Sequence, residues 1–386
     1  MVDVFFWVQH LLGIGHLARA ATLVRAMRRH GLEVTLASGG LPVPALDLAG
    51  GELLQLEPVQ CRAGDFSTLL NAAGEPVDEA FRQRRAGALV ASFAARRPRL
   101  LLLEMFPFGR RQMRFELEPL LDAARALAPR PPIVSSVRDI LVQKKKPGRE
   151  AEMLARALTF DLVLAHGDPA FVPFSATFPA SAELGDRLIE TGYVMDPVPA
   201  DDGGTTDGQG EIIVSAGGGR VGEHLLETAI AASALARGGP AWRVLVGWQV
   251  PEADFAAIAR RARPGLVIER ARRDFRTLLG RCALSVSQGG YNTVVEVLAA
   301  GCRAVVVPYA EDGETEQTRS AAACSPSAAC CSRSLPGTRP AGARRAGRRG
   351  AGATGPARPA AANGRCRSHG PVASAAEPSY RQVRTG

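Results

Sequence analysis

The chain has 386 residues, 46% of them hydrophobic, and a formal net charge of +9. A chain of this length accommodates two domains of ordinary size, each with its own core. The charge does not mark a nucleic-acid binder, because residues 321–386 hold 11 Arg against one acid, Glu377, while the rest of the chain holds 36 basic and 37 acidic residues.

Cys61, Cys282 and Cys302 are scattered through the body without the spacing of a metal or redox motif, and Cys324, Cys330, Cys331 and Cys366 lie in the basic tail. A reduced, cytoplasmic protein with free thiols is expected. The apolar run Val4–Val8 follows Asp3 and lacks the length and basic flank of a signal peptide. No stretch reaches the roughly 18 apolar residues of a membrane-spanning helix.

In chain order, Val4–Val8 is predicted as a first parallel strand, followed by a loop with Gly13, Gly15 and His16. Leu17, Ala20 or Ala21, Val24 and Met27 recur at helical spacing up to Gly31, and Glu33–Ala37 is the next strand. This is a dinucleotide-type opening without the full glycine fingerprint, so it makes no strong case for NAD. An imidazole at the helix start, with an unperturbed pKa near neutrality, is suited to taking a proton from a hydroxyl or steadying a departing phosphate, or it caps the helix.

Residues from Ser38 to Gln60, rich in Gly, Pro and Leu, are expected to form a loop over a cleft, followed by a helix from Val77 to Phe93 and a strand from Leu100 to Glu104. The turn after that strand, Met105 to Gln112, is aromatic and basic. Ligands of open α/β sheets collect at the carboxyl ends of strands, so Glu104 and Arg110 are ligand-site candidates or a structural pair. Pro132–Val137 is a strand leading to Arg138 and Asp139, also at a strand end, followed by Lys144, Lys145, Lys146 and Arg149. The strand Leu162–Ala165 ends in His166-Gly167-Asp168-Pro169, read as a turn lining the cleft. A metal at His166 and Asp168 lacks further ligands at useful spacing.

The Pro-, Gly-, Asp- and Thr-rich run from Asp196 to Gly210 cannot build a core and marks a linker. Its Asp201 and Asp202 are not an Asp-x-Asp following a strand, so no metal is expected. A strand Glu211–Ser215, a loop Gly217-Gly218-Gly219 and a helix Val221–Ala236 follow, then Trp242–Val246, a helix around Ala253–Ala262, Leu266–Glu269 and a short helix through Leu279. Ala283–Ser287 is the next strand, leading through Gly289 and Gly290 into a helix from Asn292 to Ala300, stopped by Gly301, and a last strand Ala304–Val307. A glycine turn into a helix N-terminus suits an anion, and Glu296, one turn inside, is placed to accept from two sugar hydroxyls. Phosphates at the turn and a diol at the glutamate describe a nucleotide.

The whole stretch, Gly289 to Thr293, Glu296, Leu298 to Gly301, Pro308, then Glu316 with Gln317, resembles the donor-binding region of the GT-B glycosyltransferases of family 28. The similarity extends to a bacterial group of predicted glycosyltransferases of undefined acceptor, which share the His166–Pro169 turn and the following Thr191–Val194. It covers residues 1–319 and implies an α/β fold of two facing doubly wound, Rossmann-like domains, 1–194 and 211–319, joined by residues 195–210. It further implies sugar transfer from a UDP-sugar to an acceptor hydroxyl, inverting and without metal or other cofactor. Gly289, Gly290 and Thr293 would hold the diphosphate, with Asn292 beside them and Gly217, Gly218 and Gly219 as a second phosphate-facing loop. Glu296 would hold the ribose, Glu316 and Gln317 the donor sugar, and His16 would stand at the reacting centre. The resemblance leaves the acceptor open, with a lipid-linked molecule or a polysaccharide as candidates; family members that act on polyprenyl-linked acceptors dock on the inner membrane, for which the Phe106–Arg111 turn and the Lys144–Arg149 cluster supply the same ingredients, or that cluster is a solvated loop. An epimerase or hydrolase acting on a UDP-sugar, or an inactive nucleotide-sugar-binding remnant, is the alternative.

The last 66 residues contain no Ile, Phe or Lys and only one Leu. A disordered basic tail, arising from a shifted reading frame in a GC-rich gene, is expected there. Read one nucleotide earlier with GC-rich codons, Cys324 to Cys331 becomes Leu-Leu-Ala-Glu-Arg-Gly-Val-Leu, a helix end, a glycine stop and a strand start.

Overall fold

A computed structural model describes residues 2–44, 46–62, 65–141, 148–197, 204–217, 222–236, 238–248 and 250–308. All of them belong to one compact unit, Met1–Ser334; the second unit, Leu335–Gly386, and the expected tail and frame shift lie outside the described residues.

The first half contains β1 (Val4–Val8), α1 (Gly15–Arg29), β2 (Val34–Ser38), β3 (Glu52–Gln55), β4 (Gln60–Arg62), β5 (Asp65–Leu70), α2 (Glu79–Arg96), β6 (Leu100–Glu104), α3 (Arg114–Ala126), β7 (Ile133–Arg138), α4 (Arg149–Ala157), β8 (Leu162–His166) and β9 (Leu188–Glu190). Seven strands form a parallel sheet in the order β3-β2-β1-β6-β7-β8-β9, and β4 and β5 make a separate antiparallel hairpin. The second half runs β10 (Ile212–Ser215), α5 (Glu223–Leu235), β11 (Trp242–Val246), α6 (Glu252–Ala259), β12 (Leu266–Arg270), α7 (Phe275–Arg281), β13 (Leu284–Gln288), α8 (Tyr291–Ala300) and β14 (Ala304–Val307). Its five strands are parallel in the order β12-β11-β10-β13-β14.

The central strand β1 shows why this sheet is covered on both faces. All five of its side chains are buried, and they alternate between two cores. Phe5 and Trp7 pack with Leu89 and Phe93 of α2 and Leu117 and Leu120 of α3, while Val4, Phe6 and Val8 pack with Leu17, Ala20 and Val24 of α1. An unbroken apolar strand is what helices on both faces require. Phe5 meets Phe93 edge to face, with ring centroids 5.4 Å apart.

Several expected elements move. The segment from Ser38 to Gln60 is not all loop, because Glu52–Gln55 joins the sheet edge beside β2; its mostly exposed side chains disguised a strand whose backbone pairing is regular. The helix expected from Val77 begins at Glu79, where Asp78 caps it by accepting from the Phe81 amide at 2.7 Å. The second and third helices of the chain are separated by β6, and α3, α4 and β9 had no counterpart in the sequence reading.

Beneath β1 lies a fully buried polar network. Trp7 donates its indole N–H to Glu116 of α3 at 2.9 Å, Arg85 of α2 pairs with the same carboxylate, and Arg85 also reaches the Gln9 side chain at 2.8 Å. Gln9 is the first residue after β1. The network thus fixes the loop that leads to His16 to both helices on that face. Between the two sheets, Asp196 accepts from Thr22 and from the Arg25 Nε, each at 3.0 Å, while Arg276 of α7 donates to the carbonyls of Asp196 and Pro197. The expected linker, 195–210, lies in the chain between β9 and β10 within one compact unit, and its residues 198–203 lie outside the described residues.

Candidate functional site

The two sheets each have a switch point where the connections leave in opposite directions: between β1 and β6 in the first, between β10 and β13 in the second. Ligands of open α/β sheets bind at the carboxyl ends of strands at such points. His16 follows β1 and Glu104 ends β6, so the topology brings together two residues 88 positions apart.

His16 is the second residue of α1, and its Nδ1 lies 2.9 Å from Glu104 Oε1. Arg19, one turn further on, pairs with the same oxygen. Burial works against a charged Glu104, but the fields of His16 and Arg19 outweigh it and hold the carboxyl down at about 2. Burial likewise lowers the His16 ring to about 3 against the pull of Glu104, so the imidazole is neutral. A carboxylate only accepts, hence Nδ1 carries the proton and Nε2 keeps its lone pair. The ring remains one-fifth exposed, at 20%. Of the two readings open for Glu104 and Arg110, the structural pair is not formed: the partners of Glu104 are His16 and Arg19, and Arg110 donates from its Nε to the Gln9 carbonyl at 2.8 Å. Arg110 still sits close enough for its charge to be felt at both His16 and Glu104.

The other expected cleft residues divide. Gly13 lies in the loop before α1 with open space where a side chain would stand. Gly15 touches the second half directly, since its carbonyl accepts from Asn292 Nδ2 at 3.4 Å. Asp139 is buried, accepts from the Ile140 amide at 2.8 Å, and is raised by burial to about 6. Arg138 ends β7 opposite His166 of β8. The His166 ring is not open to a ligand: Nε2 meets Ser136 Oγ and Nδ1 meets Thr191 Oγ1, each at 2.8 Å, and burial lowers it to about 3. A β-carbon at Gly167 would lie 2.2 Å from that of Asp139, which is why this turn needs glycine there. The Phe106–Phe108 turn offers no apolar surface, since Phe108 is buried edge-on against Phe174 and Phe178; Lys144, Lys145 and Lys146 lie outside the described residues.

In the second sheet, the turn after β13 works differently from the expectation. The Gly289 amide donates to Val307 at 3.0 Å and that of Gly290 to Gln288 at 2.9 Å, so neither is left for an anion. The first intrahelical bond runs from Val294 to Gly290, and no side chain caps the helix. The amides of Tyr291, Asn292 and Thr293 therefore have no partner among the described residues, and they carry the positive end of α8. Gly290 has open space at its β-carbon position. Glu296 accepts no hydrogen bond from the described residues, and burial raises its carboxyl to about 7 against the opposing field of Arg276. Gly217 adopts φ +81° and donates to Ser215 Oγ at 3.2 Å; Gly218, Gly219, Glu316 and Gln317 lie outside the described residues.

The two histidines lowered to about 3, His16 and His166, set an acid limit on stability. Unfolded histidine takes up its proton near 6.5, so below that pH the unfolded chain binds more protons than the folded one and stability falls as pH drops towards 3. Melting temperature is expected to decline through this range, and less so in His166→Asn, measured relative to that variant at pH 8.

No protein-family model and no curated protein matches the chain. Solved structures do. The calicheamicin glycosyltransferase CalG4 is 15% identical, with 84% of each chain covered and a TM-score of 0.54. UGT2 of Phytolacca americana, solved with UDP-2fluoro-glucose and pterostilbene, is 13% identical over 82% of each chain, TM-score 0.54. A putative UDP-N-acetylglucosamine 2-epimerase from Listeria monocytogenes is 12% identical over 79% of this chain and 78% of that one, TM-score 0.50. At these identities the likeness concerns architecture, and with the two parallel sheets it gives this chain the GT-B fold of paired Rossmann-like domains.

Proposed function

We propose that the protein transfers a hexosyl or N-acetylhexosaminyl group from a UDP-sugar to an acceptor hydroxyl with inversion, as a glycosyltransferase of the family 28 type. The observation that carries this reading is the neutral His16, oriented by Glu104 through Nδ1, standing across from the uncapped start of α8. Its Nε2 takes the proton as the acceptor oxygen attacks the anomeric carbon, and Glu104 stabilises the imidazolium that forms. The departing diphosphate gathers charge, which the free amides of Tyr291, Asn292 and Thr293 receive in place of a metal ion. Glu296 takes the ribose diol. UDP as the nucleotide is supported by the sequence resemblance and by the ligand of the Phytolacca structure.

Incubation with UDP-glucose and UDP-N-acetylglucosamine, an acceptor panel of phenols, sugars and polyprenyl-linked sugars, and a chelator tests it. Inverted product formed in the presence of chelator is the expected result. Free UDP with hydrolysed or epimerised sugar and no dependence on acceptor would instead select an epimerase or hydrolase, for which Asp139, raised to about 6, is a candidate acid.

Donor binding carries its own pH signature. The Glu296 carboxyl sits at about 7 when unliganded, and only the ionised form accepts from both ribose hydroxyls at once. A UDP-sugar is therefore expected to bind about tenfold more weakly at pH 6 than at pH 8. Titration calorimetry on the native chain and Glu296→Gln checks this: the variant binds weakly at both pH values and loses the dependence.

A further inference from the structure

The contact between the two sheets contains a side chain that links the donor side to the proposed base. Arg19 is buried, 4% exposed, and one of its terminal nitrogens pairs with Glu104 Oε1, the oxygen that also holds His16. This pair is not a two-pronged fork. Arg19 Nε and Glu104 Oε2 are both buried without a hydrogen-bond partner among the described residues, so the contact runs through a single carboxylate oxygen. A one-point ion pair leaves the guanidinium free to swivel unless something else fixes its plane.

That something is on the other half of the molecule. The Arg19 guanidinium carbon lies 5.2 Å from the centroid of the Tyr291 ring. Tyr291 is the first residue of α8, one of the three whose amides are free for an anion, and its hydroxyl is anchored on the His166 carbonyl at 2.9 Å. The Tyr193 ring packs against it, with centroids 6.0 Å apart. A cation over an aromatic face in a desolvated position is a contact of substance.

We propose that Arg19 is a positioning residue seated from across the cleft: the Tyr291 ring holds its guanidinium on Glu104, and this orients the His16 imidazole only while the two sheets are together. The identification of His16 as a base rests on the glycosyl-transfer reading; the seating of Arg19 does not. The base is then assembled by the same helix that receives the donor phosphates. The charged groups facing His16 are Glu104 of β6, Arg19 of α1 and Arg110 of the turn after β6; Arg19 in turn faces Asp139 and His166.

Ring-nitrogen NMR of histidine-labelled protein tests the proposal without donor or acceptor, so its result stands apart from any failure to observe transfer. The His16 signals are identified by their absence in His16→Gln. In the native chain they are expected to stay in the neutral Nδ1–H form from about pH 8 down to about pH 5. In Arg19→Gln the Glu104 charge is opposed by Arg110 alone, and His16 is expected to take up its proton at a higher pH than in the native chain. Tyr291→Leu is expected to do the same, and Tyr291→Phe, which keeps the ring, to behave as the native chain. Native-like titration in Tyr291→Leu overturns the link to α8. An unchanged His16 in Arg19→Gln overturns the role of Arg19, and equal shifts in the Phe and Leu variants overturn the role of the ring. Should Arg19→Gln not fold, the Tyr291 pair decides, since that side chain is only partly buried.

Discussion

His16→Ala is expected to lower the turnover number for sugar transfer by about 10²- to 10⁴-fold, the range over which a positioned general base contributes, while leaving UDP-sugar binding nearly unchanged. The separation of the two effects follows from placement: His16 belongs to α1 and the first sheet, the donor groups to α8 and the second. Glu104→Gln is expected to fall between the native chain and His16→Ala, because the amide still meets Nδ1 but no longer stabilises an imidazolium. The pH profile at saturating donor supplies an independent check. Because burial holds the His16 ring at about 3, turnover should show no acid limb at the ordinary histidine value near 6.5. A clear limb there would mean that His16 is more exposed in solution than its pairing implies, or that another group is the base.

The second large effect concerns folding. Glu116→Leu is expected to destabilise the first half by about 3–5 kcal/mol, the cost of leaving one partner of a buried ion pair without the other. Both Arg85 and Glu116 are essentially without solvent contact, and the carboxylate also satisfies the Trp7 indole at 2.9 Å. Urea unfolding followed by Trp fluorescence measures it. The double variant Arg85→Met with Glu116→Leu removes both charges and is expected to recover much of the loss. A single variant within about 0.5 kcal/mol of the native chain would show the network to be open to water, since that is the range of ordinary surface substitutions.

Much of the fold is legible in the sequence because the sheet strands are continuous apolar runs of four to six residues punctuated by glycine. Val4–Val8, Leu100–Glu104 and Ala304–Val307 are found where their composition puts them. The edge strand Glu52–Gln55 was not, since it is short and mostly exposed, Leu53 included, and only its backbone pairing defines it. In the site, His16, Glu104 and Glu296 could each be singled out by position at a strand end or helix start. Which of them pair could not, because local spacing does not say which residues 85 or 88 positions apart will meet. One signal was present and unread: Arg85 sits at helical spacing between Phe81 and Leu89 on the apolar face of α2, where a charge needs a buried partner. Arg19 among Leu17, Ala20 and Val24 is the same kind of mark. The role of the Gly289–Gly290 turn was misjudged for a different reason. Glycine advertises free backbone, but here its amides close the turn onto Val307 and Gln288, and the open donors belong to the next three residues.

The attachment of Asp196 gives the two halves a mechanical relation. Its carboxylate is held by Thr22 and Arg25 and its carbonyl by Arg276, so a single residue is riveted to both sheets at once. Rocking of one half over the other is therefore expected to strain these bonds together with the Gly15–Asn292 contact.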